Sequence, residues 1–205
     1  MHGSPFLTAN NSDKVFFAPK AQIFMASTTE AASKLPVDVT TPLDAVFKDL
    51  GYISEDGVSV TPKREFDPVN ASQSASPIKY VLKSAALTLK FVLLQMDPET
   101  VEVYFGTEWV TTSGVNKLNI ASNPALAEIC LVVEYGDYVQ TETSPGPPPV
   151  YTLTGTKNRL VIPRGMVSDV DEYKIARTDT LALGVTFDAM DKSGSLGFLL
   201  SNASA

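Results

Sequence analysis

Leu87, Leu89, Phe91 and Leu93 alternate with Thr88, Lys90 and Val92 in SAALTLKFVLLQM (84–96). Leu181, Leu183, Val185 and Phe187 alternate in the same way in ARTDTLALGVTFDAM (176–190), the clearest long strand in the chain. A period of two places every second side chain on one side of the backbone, which an extended strand satisfies and a helix does not. The two runs commit the chain to a sheet with an apolar face. Val92 makes one end of 84–96 apolar on both sides, as expected for a strand covered twice at that end. Other strand-favouring runs are KVFFAPKAQIFMA (14–26), VSVTPKREF (58–66), AEICLVVEY (127–135), NRLVIP (158–163) and SLGFLLS (195–201). Pro19 divides the first into two short edge strands or an extended arm. The strands do not alternate with helices as βαβ units would. The expected fold is therefore mainly β, a sandwich or barrel with one flanking α-helix, an extended N-terminal arm and a long inter-strand loop.

The 205 residues fit one domain. Within it, 1–40 reads as the N-terminal strand or arm and 67–83 as the long loop. Residues 140–158 read as a surface excursion whose SPGPPP (144–149) cannot join a sheet interior. GTEWVTTSGVNKLNIASNPA (106–125) and RGMVSDVDEY (164–173) read as loops.

The helix is expected at 42–50. Thr41 and Pro42 suit an N-cap and a first helical position, and Asp44 suits the positive end of the helix dipole. Leu43, Val46, Phe47 and Leu50 fall at i, i+3, i+4 and i+7, one apolar stripe that would clamp the outside of the sheet. Gly51 stops it. Tyr52 and Ile53 then start a strand that SEDG (54–57) turns back into 58–66. Asp97 and Pro98 open a second short helix in DPETVEVYFG, although Val101, Val103 and Phe105 also alternate as in a strand.

Candidate chemistry is sparse. The only histidine is His2 and the only cysteine is Cys130, which reads as a small core residue within EICLVVEY. TGTKN (154–158) lacks phosphate-loop spacing and reads as a hairpin turn. Asp169, Asp171 and Glu172 lack the glycine and distal Glu of a calcium loop and read as a solvated loop. Trp109 reads as a core or interface aromatic. No catalytic, cofactor or metal residue is assigned; no cofactor and no enzymatic activity are expected. The N-terminus carries no signal-peptide pattern and no run approaches 18 apolar residues, so cytoplasmic synthesis without a membrane anchor is expected.

The charges are unevenly placed. The net charge is −7, which disfavours binding to nucleic-acid phosphates. Residues 97–142 hold Asp97, Glu99, Glu102, Glu108, Glu128, Glu134, Asp137 and Glu142 against Lys117 alone. Residues 58–96 hold Lys63, Arg64, Lys79, Lys83 and Lys90 against Glu65 and Asp67. Either these are two solvated surfaces, or the basic segment docks on the acidic one of a neighbouring copy. The second face of 176–190, with Thr178, Thr180, Ala182, Gly184, Thr186 and Asp188, is small and polar. Either it is an ordinary solvent-facing surface or it is a smooth wall.

The order of TTPLDAVFKDLGYISEDGVSVTPKREFD, a polar loop, LTLKFVLLQMDPETVEVYFG and LGVTFDAMDKSGSLGFLLS resembles the major tail tube protein of long-tailed, non-contractile bacteriophages, most closely those infecting actinobacteria. The resemblance runs from about Ala18 to Ser201. It implies a structural virion protein, made and assembled in the host cytoplasm, that forms hexameric rings stacked into a tube. Genomic DNA would pass through without specific binding. The implied partners are other copies of the chain, the tape measure protein, the tail terminator and the distal tail proteins. On this reading Thr178, Thr180, Ala182, Thr186 and Asp188 line the lumen. Lys63, Arg64, Asp67, Asn70, Gln73, Lys79 and Lys83 carry the loop to the next ring, and Glu99, Glu102 and Glu108 form the acidic patch that receives it. The alternative is a secreted β-sandwich that binds a ligand or carbohydrate, which would want exposed aromatics in a row.

Overall fold

The computed structural model describes residues 15–107, 109–120, 122, 127–144 and 150–203, without the side chains of Trp109, Thr143, Ser144, Val150 and Tyr151. The expectations for residues 1–14, Glu108, the Trp109 side chain and the prolines of 145–149 lie outside the described residues.

The elements run β1 (Lys20–Ser27), α1 (Thr28–Ala31), β2 (Lys48–Asp49), β3 (Ile53–Val69), β4 (Lys79–Leu93), α2 (Pro98–Phe105), β5 (Trp109–Thr112), β6 (Val115–Leu118), β7 (Ile129–Ser144), β8 (Val150–Val170), β9 (Leu183–Ala189) and β10 (Phe198–Ser201). The main sheet is antiparallel in the order β2-β1-β7-β8-β9-β4-β3. One edge of β8 is shared, with 165–170 pairing with β9 and 158–161 with β10. β5 and β6 form a separate hairpin within the stretch expected to be loop. Strands β1 and β3, near the two ends of the order, touch each other, so the sheet curls toward a barrel. The mainly β expectation holds.

One face of the sheet carries the larger core: Ile23, Leu89, Phe91, Leu93, Leu131, Val133, Ile162, Leu183, Val185 and Phe187. Alternation places Ala26, Cys130, Val132 and Val161 on the other face in a smaller core. Strands β1, β7 and β8 are thus apolar on both sides. Cys130 is fully buried, and burial pushes its thiol up to about 11, as befits a small core residue.

Helix α2 forms where Asp97 and Pro98 predict it. Gly106 closes it in the left-handed region at φ 66, its N–H donating to the Glu102 carbonyl. Val103 and Tyr104 seat it on the larger core. Among the described residues no helix is long and apolar enough to cross a membrane.

The helix expected at 42–50 does not form. Residues 32–50 are a strap over the smaller core. Asp38 Oδ1 accepts from Thr40 N and Thr41 N at 2.8 and 2.6 Å, which uses the donors a helix start would leave free. Lys48 and Asp49 pair with β1, and Leu50 N donates to Ile23 O at 2.9 Å. The apolar stripe is divided: Leu43, Val46 and Phe47 pack on the smaller core, while Leu50 enters the larger one. Spacing alone could not distinguish a helix with one apolar side from a strap that serves two cores.

Four further expectations are corrected. SEDG does not reverse the chain. It is a bulge within β3, because both Ile53 and Val58 pair with β4. TGTKN is not a turn but part of β8, paired with β7. Residues 164–170, expected as loop, continue β8 past a register shift. The strand expected over 176–190 covers only Leu183–Ala189. Of the 140–158 excursion, residues 140–144 belong to β7 and 150–158 to β8, which pair with each other. Gly136 and Gly155 face the opposite strand so closely that a Cβ on either would lie 2.1 Å from a carbonyl oxygen. They sit where β1 stops pairing with β7, at Lys20 opposite Gly136.

A buried ion group pins the strap. Glu134 lies between Arg159 (Nε 2.7 Å, Nη2 2.5 Å) and Lys157 (Nζ 2.7 Å), all three buried. Arg159 also donates to the Asp38 and Thr41 carbonyls at 2.5 and 3.1 Å. Burial holds the Lys157 ammonium below its ordinary value, with Glu134 opposing that shift.

Two stability outcomes follow, both measured by urea unfolding. Glu134→Gln leaves two buried cations without a counter-charge and costs about 3–5 kcal/mol; joint replacement of Glu134, Lys157 and Arg159 by Met costs less. Gly51, at φ 73, would place a Cβ 1.7 Å from Gln95 Oε1, the acceptor for Tyr52 N. Gly57, at φ 68, has open space around it. Gly57→Ala therefore costs about 1–2 kcal/mol of backbone strain, and Gly51→Ala costs more.

Candidate functional site

Three surfaces remain once both cores are assembled. The first is a two-stranded ribbon. β3 and β4 stay paired to Val69 opposite Lys79, well past the rest of the sheet, and residues 70–78 form its tip. The loop expected over 67–83 is thus shorter, because 67–69 and 79–83 are ladder. Lys63, Arg64, Asp67, Asn70, Gln73, Lys79 and Lys83 are all exposed on it. They do not share a face. Lys63 and Lys79 lie on one side, Arg64 on the other, and Lys83 at the register shift between Glu65 and Phe66.

The register also reveals an apolar side that sequence reasoning missed. Val60 opposite Leu89, Pro62 opposite Leu87, Phe66 opposite Leu82 and Pro68 opposite Tyr80 continue the larger core's face outward. Phe66, Leu82 and Tyr80 are 51%, 54% and 62% exposed, so this face has no cover within the chain. The available signal was the even spacing of Pro62, Phe66 and Pro68. The extra residue Lys83 hid its counterpart in β4 by breaking the period.

The second surface is the opposite, polar face of β3, β4 and β9. Ser59 pairs with Lys90 and Thr61 with Thr88; Lys90 pairs with Thr186 and Thr88 with Asp188. Thr88 Oγ1 donates to Asp188 Oδ1 at 2.5 Å. Hydrogen bonds from Thr88 and then Ser168, with the nearby Lys63 and Lys90 charges, hold the Asp188 carboxyl below its ordinary value. Thr186 and Asp188 are therefore on the face assigned to them. Thr178, Thr180 and Ala182 precede β9 and share no strand face with them; Thr178 and Thr180 are exposed. The face is not free of positive charge, since Lys63 and Lys90 belong to it.

The third surface is a groove of about 880 Å³ where β1 ends, β7 begins and α2 crosses. Met25, Val103, Phe105 and Met166 give it an apolar lining. Glu99 and Glu102 line it, joined by Glu30 and Asp169, which charge counting along the sequence had not grouped with them; Lys48 is the one cation among its described lining residues. Other acids of 97–142 are matched within the chain, Glu128 by Arg164 at 2.6 Å and Glu134 by the buried cations. The acidic excess read from the sequence is thus larger than the acidic surface. Among the described residues no group of three His, Cys, Asp or Glu side chains gathers to hold a metal.

A family model described as phage tail tube protein matches residues 8–199. No curated protein matches the chain. A chain from a solved structure titled "Virion of native gene transfer agent (GTA) particle" aligns with a TM-score of 0.40 and 11% identity, covering 95% of this chain and 100% of that one.

The Asp188 shift has a defined sign. Its folded value lies below the unfolded one, so its contribution is complete above the ordinary carboxylate value near about 4 and is lost as pH falls through the folded value. Asp188→Asn removes that dependence. Urea midpoints measured from pH 6 downward should fall less steeply for the variant than for the wild type below about pH 4.

Proposed function

The chain belongs to the phage tail tube protein family, and from that membership we infer how its surfaces are used. It is a structural component of the virion tail, in a family of tube proteins rather than enzymes, which sets aside the secreted binding-module alternative. Copies close into hexameric rings, and the rings stack into the tube of a non-contractile tail. The tape measure protein fills the tube before the genome leaves through it, and the tail terminator and distal tail proteins meet its ends. Synthesis and assembly take place in the host bacterial cytoplasm.

The observation that carries this reading is the β3–β4 ribbon, which extends the two-faced pattern of the sheet beyond the core that one chain can supply. A two-stranded hairpin alone is marginal in water. Neighbouring copies supply the missing layers, and the ribbon, with Lys63, Arg64, Lys79 and Lys83, reaches the next ring.

Thr186 and Asp188 face the lumen from β9, and Thr178, Thr180 and Ala182 reach it from the segment that precedes that strand. Each unmatched cation on such a wall would hold phosphate by releasing counterions. Asp188, beside Lys63 and Lys90, offsets their charge. Leu183 and Phe187, on the other face, fill the core.

Negative-stain microscopy of concentrated protein should show rings or tubes with an open channel; monomers at every concentration overturn the reading. Deleting 69–77 should leave monomers, and normal tubes from that deletion would sink the docking role. A reconstruction of the tube should place Thr186 and Asp188 along the channel, and an outward-facing Asp188 would refute the lumen assignment.

A further inference from the structure

We propose that the exposed apolar face of the ribbon seats in the acid-rimmed groove of a second copy of this chain. The proposal rests on the polymer reading above and adds the identity of the receiving surface and the kind of contact it makes.

Two complementarities carry it. The ribbon presents Phe66, Leu82 and Tyr80, half-exposed or more, with Arg64 on the same face and Lys83 at the register shift beside it, while Lys79 lies on the opposite side with Glu65 and Asp67. The groove presents Met25, Val103, Phe105 and Met166, with Glu30, Glu99, Glu102 and Asp169 around them against Lys48. An apolar centre bordered by cations thus meets an apolar centre bordered by carboxylates. In such a pairing charge sets register and encounter, while the dry centre supplies affinity. The groove also holds the Thr107 hydroxyl, buried without a hydrogen-bond partner.

Placement supports the same pairing. Following the strand registers, the ribbon leaves the sheet beyond the level of Asp188, which pairs with Thr88 and Met166. The groove lies toward the other end, along 166–170 of β8 and past Ser27 of β1. A ribbon and groove at opposite ends of one chain join copies head to tail. Such a contact repeats without closing on itself, as stacking requires and a two-fold dimer does not.

The contact also changes the balance of forces expected from charge alone. Docking through Phe66, Leu82 and Tyr80 survives salt that screens exposed charges beyond about 8 Å at physiological strength.

The test is a cross-link in the full chain. Leu82→Cys and Met25→Cys, the latter on the groove and on the larger-core side of β1, are made singly and together; the native Cys130 is buried beneath the strap. Oxidation of assembled double variant should give a disulfide ladder of dimers, trimers and higher species on non-reducing gels, with no ladder from either single variant. Tubes that assemble normally but give no ladder, or Leu82→Cys alone giving as much dimer as the pair, overturn the groove as receiver and leave the polymer reading intact. A wild type that never assembles overturns both. Leu82→Asp, at an exposed position, should retain the wild-type circular dichroism spectrum and lose all species above the ring in 0.5 M salt, where the Debye length is only about 4 Å. Unchanged stacking by that variant also refutes the proposal.

Discussion

The β3–β4 ladder is the constraint from which most of the molecule follows. Antiparallel pairing runs from Ile53 opposite Leu93 to Val69 opposite Lys79, with irregularities between Ile53 and Val58 and between Glu65 and Phe66. Its lower half delivers Leu89, Phe91 and Leu93 to the core. Its upper half holds the same alternation with nothing packed against it. The extra residue Lys83 shifts β4 by one, so that Leu82 and Tyr80 return to the side that Leu87 and Leu89 occupy, opposite Phe66 and Pro68. The ribbon's surface is thus determined by packing that occurs elsewhere in the chain.

The doubly covered strands impose a second requirement. β1, β7 and β8 are apolar on both faces, so something must close the outer side, and the 32–50 strap does so with few regular hydrogen bonds of its own. Arg159 compensates by gripping two of its carbonyls while Glu134 neutralises the buried guanidinium. Such a group contributes little net stability compared with a well-packed apolar replacement. What it supplies is a fixed position for the strap, which in turn delivers Leu50 to the larger core and Lys48 to the edge of β1.

Period-two runs were legible in the sequence where both neighbouring strands are present, as at Leu87–Leu93 and Leu183–Phe187, because burial enforces the pattern. The second helix was legible from Asp97 and Pro98, because proline's fixed φ suits the first helical position, although the Asp97 side chain makes no cap bond. The stripe Leu43, Val46, Phe47 and Leu50 was misread because its contacts are set by β1 and β8, remote in sequence. Of the candidate residues, Thr186 and Asp188 share the polar face of β9, and Glu99 and Glu102 share the groove beside α2. The apolar ribbon face was hidden by one extra residue, Lys83. Glu134 was counted as a surface acid because nothing near it in the chain announces Lys157 and Arg159.

Gly136 and Gly155 mark the point where β7 and β8 leave their neighbours and go on as a pair. Without Cβ atoms, the two strands approach there more closely than other residues permit. The core lies on one side of this junction and the outer hairpin on the other. Beyond the junction Gln140 still donates to Thr40 O and accepts from Lys157 Nζ, both at 3.2 Å, so the base of the hairpin stays tied to the strap and the ion group. The junction thus lets two strands run on past their neighbours while a change at the hairpin base is still felt in the strap.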